Sequence, residues 1–378
     1  METTNLNKQF PLMIPYITPD DIAAVTEVLQ SGMLIQGKHV GLLENKIRQI
    51  ANVKEAVAVS NGTATLHLAL ISLGIGKGDE VIVPAFSYVA TANVVELVGA
   101  TPVFVDIDSD TFNIDVSKIK AVITEKTKAI IPVHEFGLAC NISEVISIAL
   151  TNKIHVIEDA ACALGAKENE QPVGSFGIVA SFSLHPRKSV TSGEGGIITT
   201  NNQELAAKFR ALRNHGIDSE NTDSMEFILA GYNYRLTDFQ AAFVNSQLER
   251  FDQILTQKQM LADVYLNELD ASVMKLPVVP DGKNHTWQTF HVVLEEKINR
   301  AQLIAALKER GIGSNYGAQC IPATKYYQEK YGFNNKASFP YAYRAYTSGL
   351  ALPLYYGLTK EDVKYIATEI NKSIKNDL

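Results

Sequence analysis

The chain has 378 residues, of which 46% are hydrophobic and 20% are charged, with a formal net charge of −7. This composition is typical of a globular protein with a sizeable core, and its acidic balance gives no indication of nucleic-acid binding. No apolar run approaches the roughly 20 residues that cross a bilayer, and the first residues lack a signal-peptide pattern. The three widely spaced cysteines predict neither a disulfide framework nor a metal site, so we expect a cytoplasmic protein without membrane segments or metals.

Helical and strand-like segments alternate from residue 20 onward. The spacing of apolar residues predicts one helix capped by Asp20 and Asp21, another around residues 40–50, and a buried helix that begins at Asn61. Helices are also expected at residues 87–98 and 142–152. Short apolar strands are predicted between them, at residues 56–60, 80–83, 102–106, 128–133, 155–158, 179–183 and 196–200. Continuous apolar strands that alternate with helices indicate a largely parallel sheet covered on both faces, in an α/β fold.

The pattern changes after about residue 236. Residues 237–270 predict one long helix or two helices in line. A strand and two more helices are expected downstream, at residues 289–294, 301–310 and 359–374. We therefore predict a large domain over residues 1–250 and a smaller C-terminal α+β domain over residues 251–378.

One lysine lies between a predicted strand and a glycine-rich segment. Lys188 follows Phe182-Ser-Leu-His-Pro-Arg187 and precedes Gly193-Glu-Gly-Gly196. A free lysine amine is a poor nucleophile at neutral pH, but the aldehyde of pyridoxal phosphate (PLP) captures it as a Schiff base. Taken alone, the segment is also typical of a surface lysine in a turn.

Two further residues have the chemistry that the ring of this cofactor requires. Asp159 follows the strand at 155–158, where ligands bind at the carboxyl ends of parallel strands, and its carboxylate can keep a pyridine nitrogen protonated. Tyr88 follows another strand end and can stack on the ring. Each residue also has an ordinary structural interpretation, because an aspartate can cap a turn and a tyrosine can simply pack.

A phosphate group also has a candidate position. Ser60-Asn61-Gly62-Thr63 places a glycine and a hydroxyl at a helix N-terminus, where free amides and the helix dipole favour an anion. Ser183 and Asn233 can add donors from other segments. The alternative is a plain helix cap, since Asn and Thr are ordinary capping residues.

Five ordered segments combine these residues into one pattern. They are Val57-Ala-Val-Ser-Asn-Gly-Thr-Ala64, Val83-Pro-Ala-Phe-Ser-Tyr88, Ile157-Glu-Asp-Ala-Ala161, Phe182 to Gly196, and Gly231-Tyr-Asn-Tyr-Arg-Leu-Thr-Asp238. Their order and spacing resemble the DegT/StrS family of PLP-dependent aminotransferases, which act on nucleotide-linked keto sugars. The resemblance extends from about residue 12 to the end of the chain.

The resemblance implies the aspartate aminotransferase-type fold (PLP fold type I) and a homodimer with active sites at the subunit boundary. It identifies Lys188 as the lysine that binds the cofactor and Asp159 as the partner of the pyridine nitrogen. The other positions that it implies are phosphate contacts at Gly62, Thr63 and Ser183, a stacking aromatic at Tyr88, and Asn233, which would reach the phosphate in the neighbouring subunit.

Two positions depart from the family pattern. Many members carry Gln or His three residues after the aspartate, where this chain has Cys162, and a thiol is a weak donor for the cofactor's ring hydroxyl. The segment Ser314–Pro322 also differs from the usual sugar-facing loop. Tyr316 can be aligned there, and together with His185 it is a candidate for contact with the substrate.

The resemblance implies transfer of an amino group from L-glutamate to a nucleotide-linked keto sugar, with pyridoxamine phosphate as the intermediate cofactor form. Analogy favours a 4-keto-6-deoxy sugar and a product used in polysaccharide biosynthesis. A sugar dehydratase of the same family is one alternative, although such members carry His where this chain has Lys188. The other alternative is a non-catalytic regulator that binds PLP, although no helix-turn-helix segment or basic stripe is present.

Overall fold

A computed structural model of the chain describes residues 8–218 and 225–377. The helices are α1 (Pro19–Ser31), α2 (Lys38–Ala51), α3 (Gly62–Ser72), α4 (Ala90–Leu97), α5 (Val116–Ile119), α6 (Ile142–Asn152), α7 (Gln203–Arg213), α8 (Asp238–Leu248), α9 (Phe251–Glu268), α10 (Arg300–Glu309), α11 (Lys325–Tyr331), α12 (Asn335–Ser338), α13 (Pro340–Ser348) and α14 (Lys360–Asp377). The strands are β1 (Glu55–Val59), β2 (Glu80–Pro84), β3 (Phe86–Ser87), β4 (Thr101–Val105), β5 (Thr127–Ile130), β6 (His155–Asp159), β7 (Lys167–Glu168), β8 (Gln171–Pro172), β9 (Val179–Ser183), β10 (Gly196–Thr200), β11 (Met274–Lys275), β12 (Lys283–Asn284), β13 (Phe290–Leu294), β14 (Gln319–Cys320) and β15 (Gly349–Leu352).

The first helix begins with a capping box. The Thr18 hydroxyl accepts the Asp21 N–H, and the Asp21 carboxylate accepts the Thr18 N–H. The predicted cap at Asp20 and Asp21 is therefore wrong by two to three residues, because Pro19 is already in the first helical turn, a position where a missing N–H costs nothing. Gly32 ends the helix in a left-handed conformation with φ 72°.

The central sheet has the strand order β1-β10-β9-β6-β5-β2-β4. Strands β9, β6, β5, β2 and β4 pair in parallel, which confirms the predicted parallel sheet for this part. Strand β10 is the exception in this sheet, since it runs antiparallel to both β1 and β9. An antiparallel neighbour needs only a loop to connect it, so residues 184–195 join β9 to β10 without a crossover helix.

This reversal brings several strand ends to one edge of the sheet. Gly196, at the start of β10, pairs with Ser183 at the end of β9 and with Val59 at the end of β1. Asp159, at the end of β6, pairs with Ser181 of β9. The loop that carries Lys188 and the start of α3 therefore lie at the same edge as the carboxyl end of β6.

A second apolar core lies around the antiparallel sheet β11-β13-β15. Side chains of α9, α10 and α14 fill it, and Phe10 from the N-terminal segment packs with them. The predicted helical stretch 237–270 consists of two helices, since α8 ends just before Arg250 and α9 begins just after it. The Arg250 guanidinium binds the Asp21 carboxylate. The division into domains at residue 250 stays a prediction.

Helices long and apolar enough to cross a membrane are absent from residues 8–218 and 225–377. Over the same residues, His, Cys, Asp and Glu side chains form no group that could hold a metal ion.

Candidate active site

A cavity of about 930 Å³ opens at the edge of the sheet where these strand ends meet. Its opposite wall comes from the C-terminal half of the chain, with Gln288, Asn315 and Leu352 among its residues. Eight of the ten site residues predicted from the sequence line it: Gly62, Thr63, Tyr88, Asp159, Cys162, Ser183, His185 and Lys188. The fold thus brings together side chains from segments more than 100 residues apart.

Asp159 is the buried acid of the cavity, with 4% of its surface exposed. One carboxylate oxygen accepts the Thr91 hydroxyl at 2.8 Å and the other accepts the Ala161 N–H at 3.2 Å. Burial raises the pKa of Asp159, while these two donors and the Lys188 charge act in the opposite direction. A cation placed in the cavity beside this carboxylate would favour its ionised form.

Lys188 projects from the loop between β9 and β10. Its backbone N–H donates to the His185 carbonyl at 2.8 Å, which closes a turn, and the Ser192 N–H donates to the Leu184 carbonyl at 3.0 Å. The Lys188 Nζ donates to the Cys162 Sγ at 3.0 Å. Since burial raises the pKa of the Cys162 thiol, the sulfur is a neutral acceptor for this amine.

The N-terminus of α3 forms one end of the cavity. The Asn61 side chain accepts the Ala64 N–H at 2.8 Å and caps the helix, so the sequence expectation of a capped start is met. The amides of a first helical turn have no partner within the helix and favour an anion. A Cβ on Gly62 would lie 2.9 Å from the Ser183 Cβ, so only glycine lets the backbone approach this closely. The result is a cradle of small residues, with Thr63 and Ser183 hydroxyls beside it.

Tyr88 and His185 flank the cavity. Tyr88 lines the cavity and is 59% exposed, so its ring is available to stack. Burial and the neighbouring Arg187 charge lower the pKa of His185, which keeps this imidazole neutral near pH 7.

Asn233 and Tyr316 lie outside the cavity of their own chain. Asn233 is exposed and pairs with Asn214 through the backbone. Tyr316 is 42% exposed and packs edge-on against Tyr346, although its neighbours Asn315 and Gly317 do line the cavity. The structure of one chain therefore does not bring these two residues to the others.

Sequence reasoning missed two residues of this site. Thr91, in the first turn of α4, donates to Asp159. Glu135 lines the cavity although it is only 4% exposed, and its Oε2 has no hydrogen-bond partner among the described residues. A signal for Glu135 was present in the sequence, since polar residues directly after a buried strand meet at the functional edge of a parallel sheet.

These residues fit the groups of PLP. Lys188 can provide the amine, and no cationic side chain of the described residues lies within hydrogen-bonding distance of the buried Asp159 carboxylate. The cradle at the start of α3 suits a phosphate, and it exists because Gly62 lacks the Cβ that would fill it. Tyr88 is an aromatic surface for the ring.

Comparisons with known proteins agree with this geometry. The sequence profile described as "DegT/DnrJ/EryC1/StrS aminotransferase family" matches residues 15–371. The chain is 37% identical to UDP-4-amino-4-deoxy-L-arabinose--oxoglutarate aminotransferase of Shewanella sediminis, over 98% of this chain and 99% of the relative. It is 35% identical to spore coat polysaccharide biosynthesis protein SpsC of Bacillus subtilis, over 98% of each chain. The solved PLP form of Spr1654 from Streptococcus pneumoniae superimposes with a TM-score of 0.92 at 30% identity, and covers 98% of this chain and 100% of that one.

Proposed function

This chain belongs to the DegT/DnrJ/EryC1/StrS aminotransferase family, and we propose that it transfers the amino group of L-glutamate to a nucleotide-linked keto sugar. It is an aminotransferase, and its cofactor is PLP. The observation that carries the proposal is the placement of Lys188 and Asp159 in one cavity, beside a cradle for phosphate. The relatives whose names specify a UDP-linked amino sugar or a polysaccharide pathway support the sugar as acceptor.

PLP supplies an aldehyde carbon for the amine and a conjugated ring that delocalises the electrons left when a Cα proton is removed. Lys188 Nζ would hold the cofactor covalently and would give up this place to the amino group of L-glutamate. The freed Nζ would then act as the general base that takes the proton from the glutamate Cα and as the general acid that gives it back. In the second half-reaction, the same amine works in reverse and returns a proton to the sugar carbon that receives nitrogen.

Asp159 would keep the ring nitrogen protonated, which would make removal of the Cα proton easier. Hydrogen bonds from the Thr91 hydroxyl and the Ala161 N–H hold its carboxylate in place. In a buried site a carboxylate paired with a cation is far more favourable than one left alone. The α3 amides, Thr63 and Ser183 would anchor the phosphate.

The size of the cavity supports a substrate larger than an amino acid. About 930 Å³ is near the upper end of ordinary small-molecule sites, and it leaves space for a sugar nucleotide beside the cofactor. A 4-keto-6-deoxy sugar is the acceptor we favour, and His185 and Tyr316 are the proposed substrate contacts. The product would enter polysaccharide biosynthesis in the cytoplasm.

We further propose a homodimer in which each active site is completed by the partner. Two observations support it: Asn233 is exposed outside the cavity of its own chain, and a run of apolar residues after α1 is also exposed. In that run Met33 is 71% and Ile35 is 70% exposed, an arrangement that an isolated chain would have no reason to keep.

Replacement of Lys188 by Ala tests the function. We expect the visible absorbance of the cofactor bound to lysine to disappear and turnover to fall by at least ~10³-fold, because tether and general base are lost together. Absorbance spectra and mass spectrometry of a keto-sugar nucleotide incubated with L-glutamate measure both effects.

The surface variant Lys308→Ala is the matched control, since Lys308 is exposed on α10. Full turnover of the Lys188→Ala variant would refute the assignment. An amine-free, deoxygenated product from the wild-type enzyme would instead indicate the dehydratase alternative.

A further inference from the structure

The cavity contains a second buried acid, for which the mechanism above has no use. Glu135 lies two residues beyond Val133, whose backbone pairs with Asp159, and the residue lines the cavity. Only 4% of the residue is exposed, and its Oε2 has no hydrogen-bond partner among residues 8–218 and 225–377. An unpaired polar atom at this depth is costly unless something that enters the cavity completes it.

The backbone around Glu135 holds this side chain in place. Its N–H donates to the Asn113 side chain at 2.8 Å. The next residue, Phe136, has φ 56°, a left-handed conformation that is rare for a bulky side chain. Its ring stacks on His291 at 4.6 Å between centroids, which stabilises the conformation. The chain thus maintains local strain beside the site, as residues at ligand sites often do.

Glu135 is a neutral carboxylic acid at neutral pH. Burial and the nearby Asp159 charge raise its pKa to about 8, against smaller opposing effects of the Lys188 charge and a Ser87 hydrogen bond. A protonated carboxyl group carries an O–H donor. The structure therefore presents a strong donor in the cavity.

Cys162 is a poor donor in the same part of the cavity. Glu135, when ionised, raises the pKa of the Cys162 thiol, so the two side chains are electrostatic neighbours. A thiol donates weakly, and the Cys162 sulfur already accepts the Lys188 amine. The ring oxygen of PLP is a strong acceptor that needs a donor once it is buried.

We propose that Glu135 supplies the hydrogen bond to the ring oxygen of the cofactor that Cys162 cannot supply. The acid thereby acts as a positioning residue for the ring, and its free oxygen finds a partner when the cofactor binds. This inference rests on the proposed function, since it takes PLP as the bound group.

The first test is cofactor affinity in three variants. We expect Glu135→Leu to weaken binding of PLP to the apoenzyme by about 10- to 100-fold, the range for one hydrogen bond to a charged or strongly polar group. Glu135→Gln keeps a donor and should stay within about 3-fold of wild type. The double variant Glu135→Leu with Cys162→Gln should recover most of the affinity, because an amide donor then stands at position 162.

Fluorescence titration of the apoenzyme with PLP measures these affinities, and the absorbance maximum of the bound cofactor gives a second readout. Glu168→Gln is the matched control, since Glu168 is a buried acid outside the cavity that accepts the Ser143 N–H at 3.0 Å. Wild-type affinity in Glu135→Leu would overturn the proposal. The proposal would also be overturned if the double variant bound PLP no more tightly than Glu135→Leu does.

The second test is pH dependence, and it remains decisive if Glu135→Leu fails to fold. Above about pH 8 the acid loses its proton, so wild-type affinity for PLP should fall, whereas Glu135→Gln should be flatter. Other groups face the acid or its neighbours: Asp159, Cys162, Lys188, Asp110, His285, His291 and Lys258. Burial lowers the pKa of each histidine to about 3 and that of Lys258 to about 7, so Lys258 titrates in both proteins.

The difference between the two pH curves therefore isolates Glu135. Superimposable curves would overturn the proposal. Failure of the proposed function would be recognised in a different experiment. The Lys188→Ala variant tests that function through the absorbance of the lysine-bound cofactor, and this readout does not depend on Glu135.

Discussion

Glu158 and Asp159 are consecutive residues of one strand, yet they belong to two different regions of the molecule. Successive side chains of a strand point to opposite faces of the sheet. The Glu158 carboxylate accepts four N–H groups: His134 Nε2 at 3.0 Å, Gly174 at 2.8 Å, Phe176 at 2.9 Å and Gly177 at 2.8 Å. The Asp159 carboxylate accepts two donors and faces the cavity.

The comparison separates two uses of a buried acid. Glu158 has every acceptor position engaged, so it fastens the loop at residues 174–177 to the strand and has nothing to offer a ligand. Asp159 and Glu135 share its depth of burial but keep unused capacity toward a space large enough for a ligand. Incomplete hydrogen bonding, rather than burial, distinguishes the two carboxyl groups that we propose to act on the cofactor.

Of the substitutions that test this comparison, Asp159→Asn should have the largest effect on activity and leave the fold intact. Loss of the charge beside the ring nitrogen is expected to lower kcat by ~10²- to 10³-fold, since a buried charge pair is worth about 2–5 kcal/mol. Burial raises the pKa of Asp159 in the folded apoprotein above the pKa of the same group in the unfolded chain. At a pH above the unfolded-state pKa, the ionised carboxylate therefore destabilises the folded apoprotein. The Asp159→Asn apoprotein should accordingly be no less stable than the wild-type apoprotein at pH 7. Steady-state kinetics test the expected loss of kcat, and thermal unfolding of the apoprotein tests the expected stability. A clear loss of apoprotein stability would contradict the comparison.

Glu158→Gln should mainly lower the stability of the fold, in contrast to Asp159→Asn, which should mainly lower activity. The new amide group would face the His134 N–H and the Gly174 N–H and leave both without an acceptor. His134 cannot reverse its tautomer, because its Nδ1 accepts the Cys140 N–H at 3.1 Å. We expect the free energy of unfolding to fall by about 2–4 kcal/mol. Chemical denaturation measures it; a variant as stable as wild type would remove the distinction between the two acids.

Thr91→Val should give the smallest effect and sharpen the comparison. The substitution keeps the shape of the side chain but removes the 2.8 Å hydrogen bond to Asp159, a donor that lowers the pKa of that acid. The pKa of Asp159 should rise, so activity should be lost at a higher pH on the acid side, with at most ~10-fold change near pH 7. The pH profile of kcat/KM tests this, and an unshifted acid limb would show that Thr91 does not influence Asp159.

The alternation of helices and strands could be predicted from the sequence because each element has a local signature. Strands β9 and β10 lie at the predicted residues, and helix α6 has the predicted bounds. The family, the fold and the cofactor also followed from ordered motifs around Gly62, Asp159 and Lys188. The reversed direction of β10 was not predicted, since strand direction leaves no trace in the order of apolar residues.

The local sequence therefore determined the secondary structure of this protein and the chemical types available for its site. Only the tertiary structure decided that Thr91 donates to Asp159, that Lys188 meets Cys162, and that Glu135 is buried with an oxygen left over. The physical reason is that hydrogen bonding and desolvation depend on neighbours in space, and these neighbours come from segments tens of residues apart. These neighbours in space decide whether a buried carboxyl group is a neutral hydrogen-bond donor or an anion held in place.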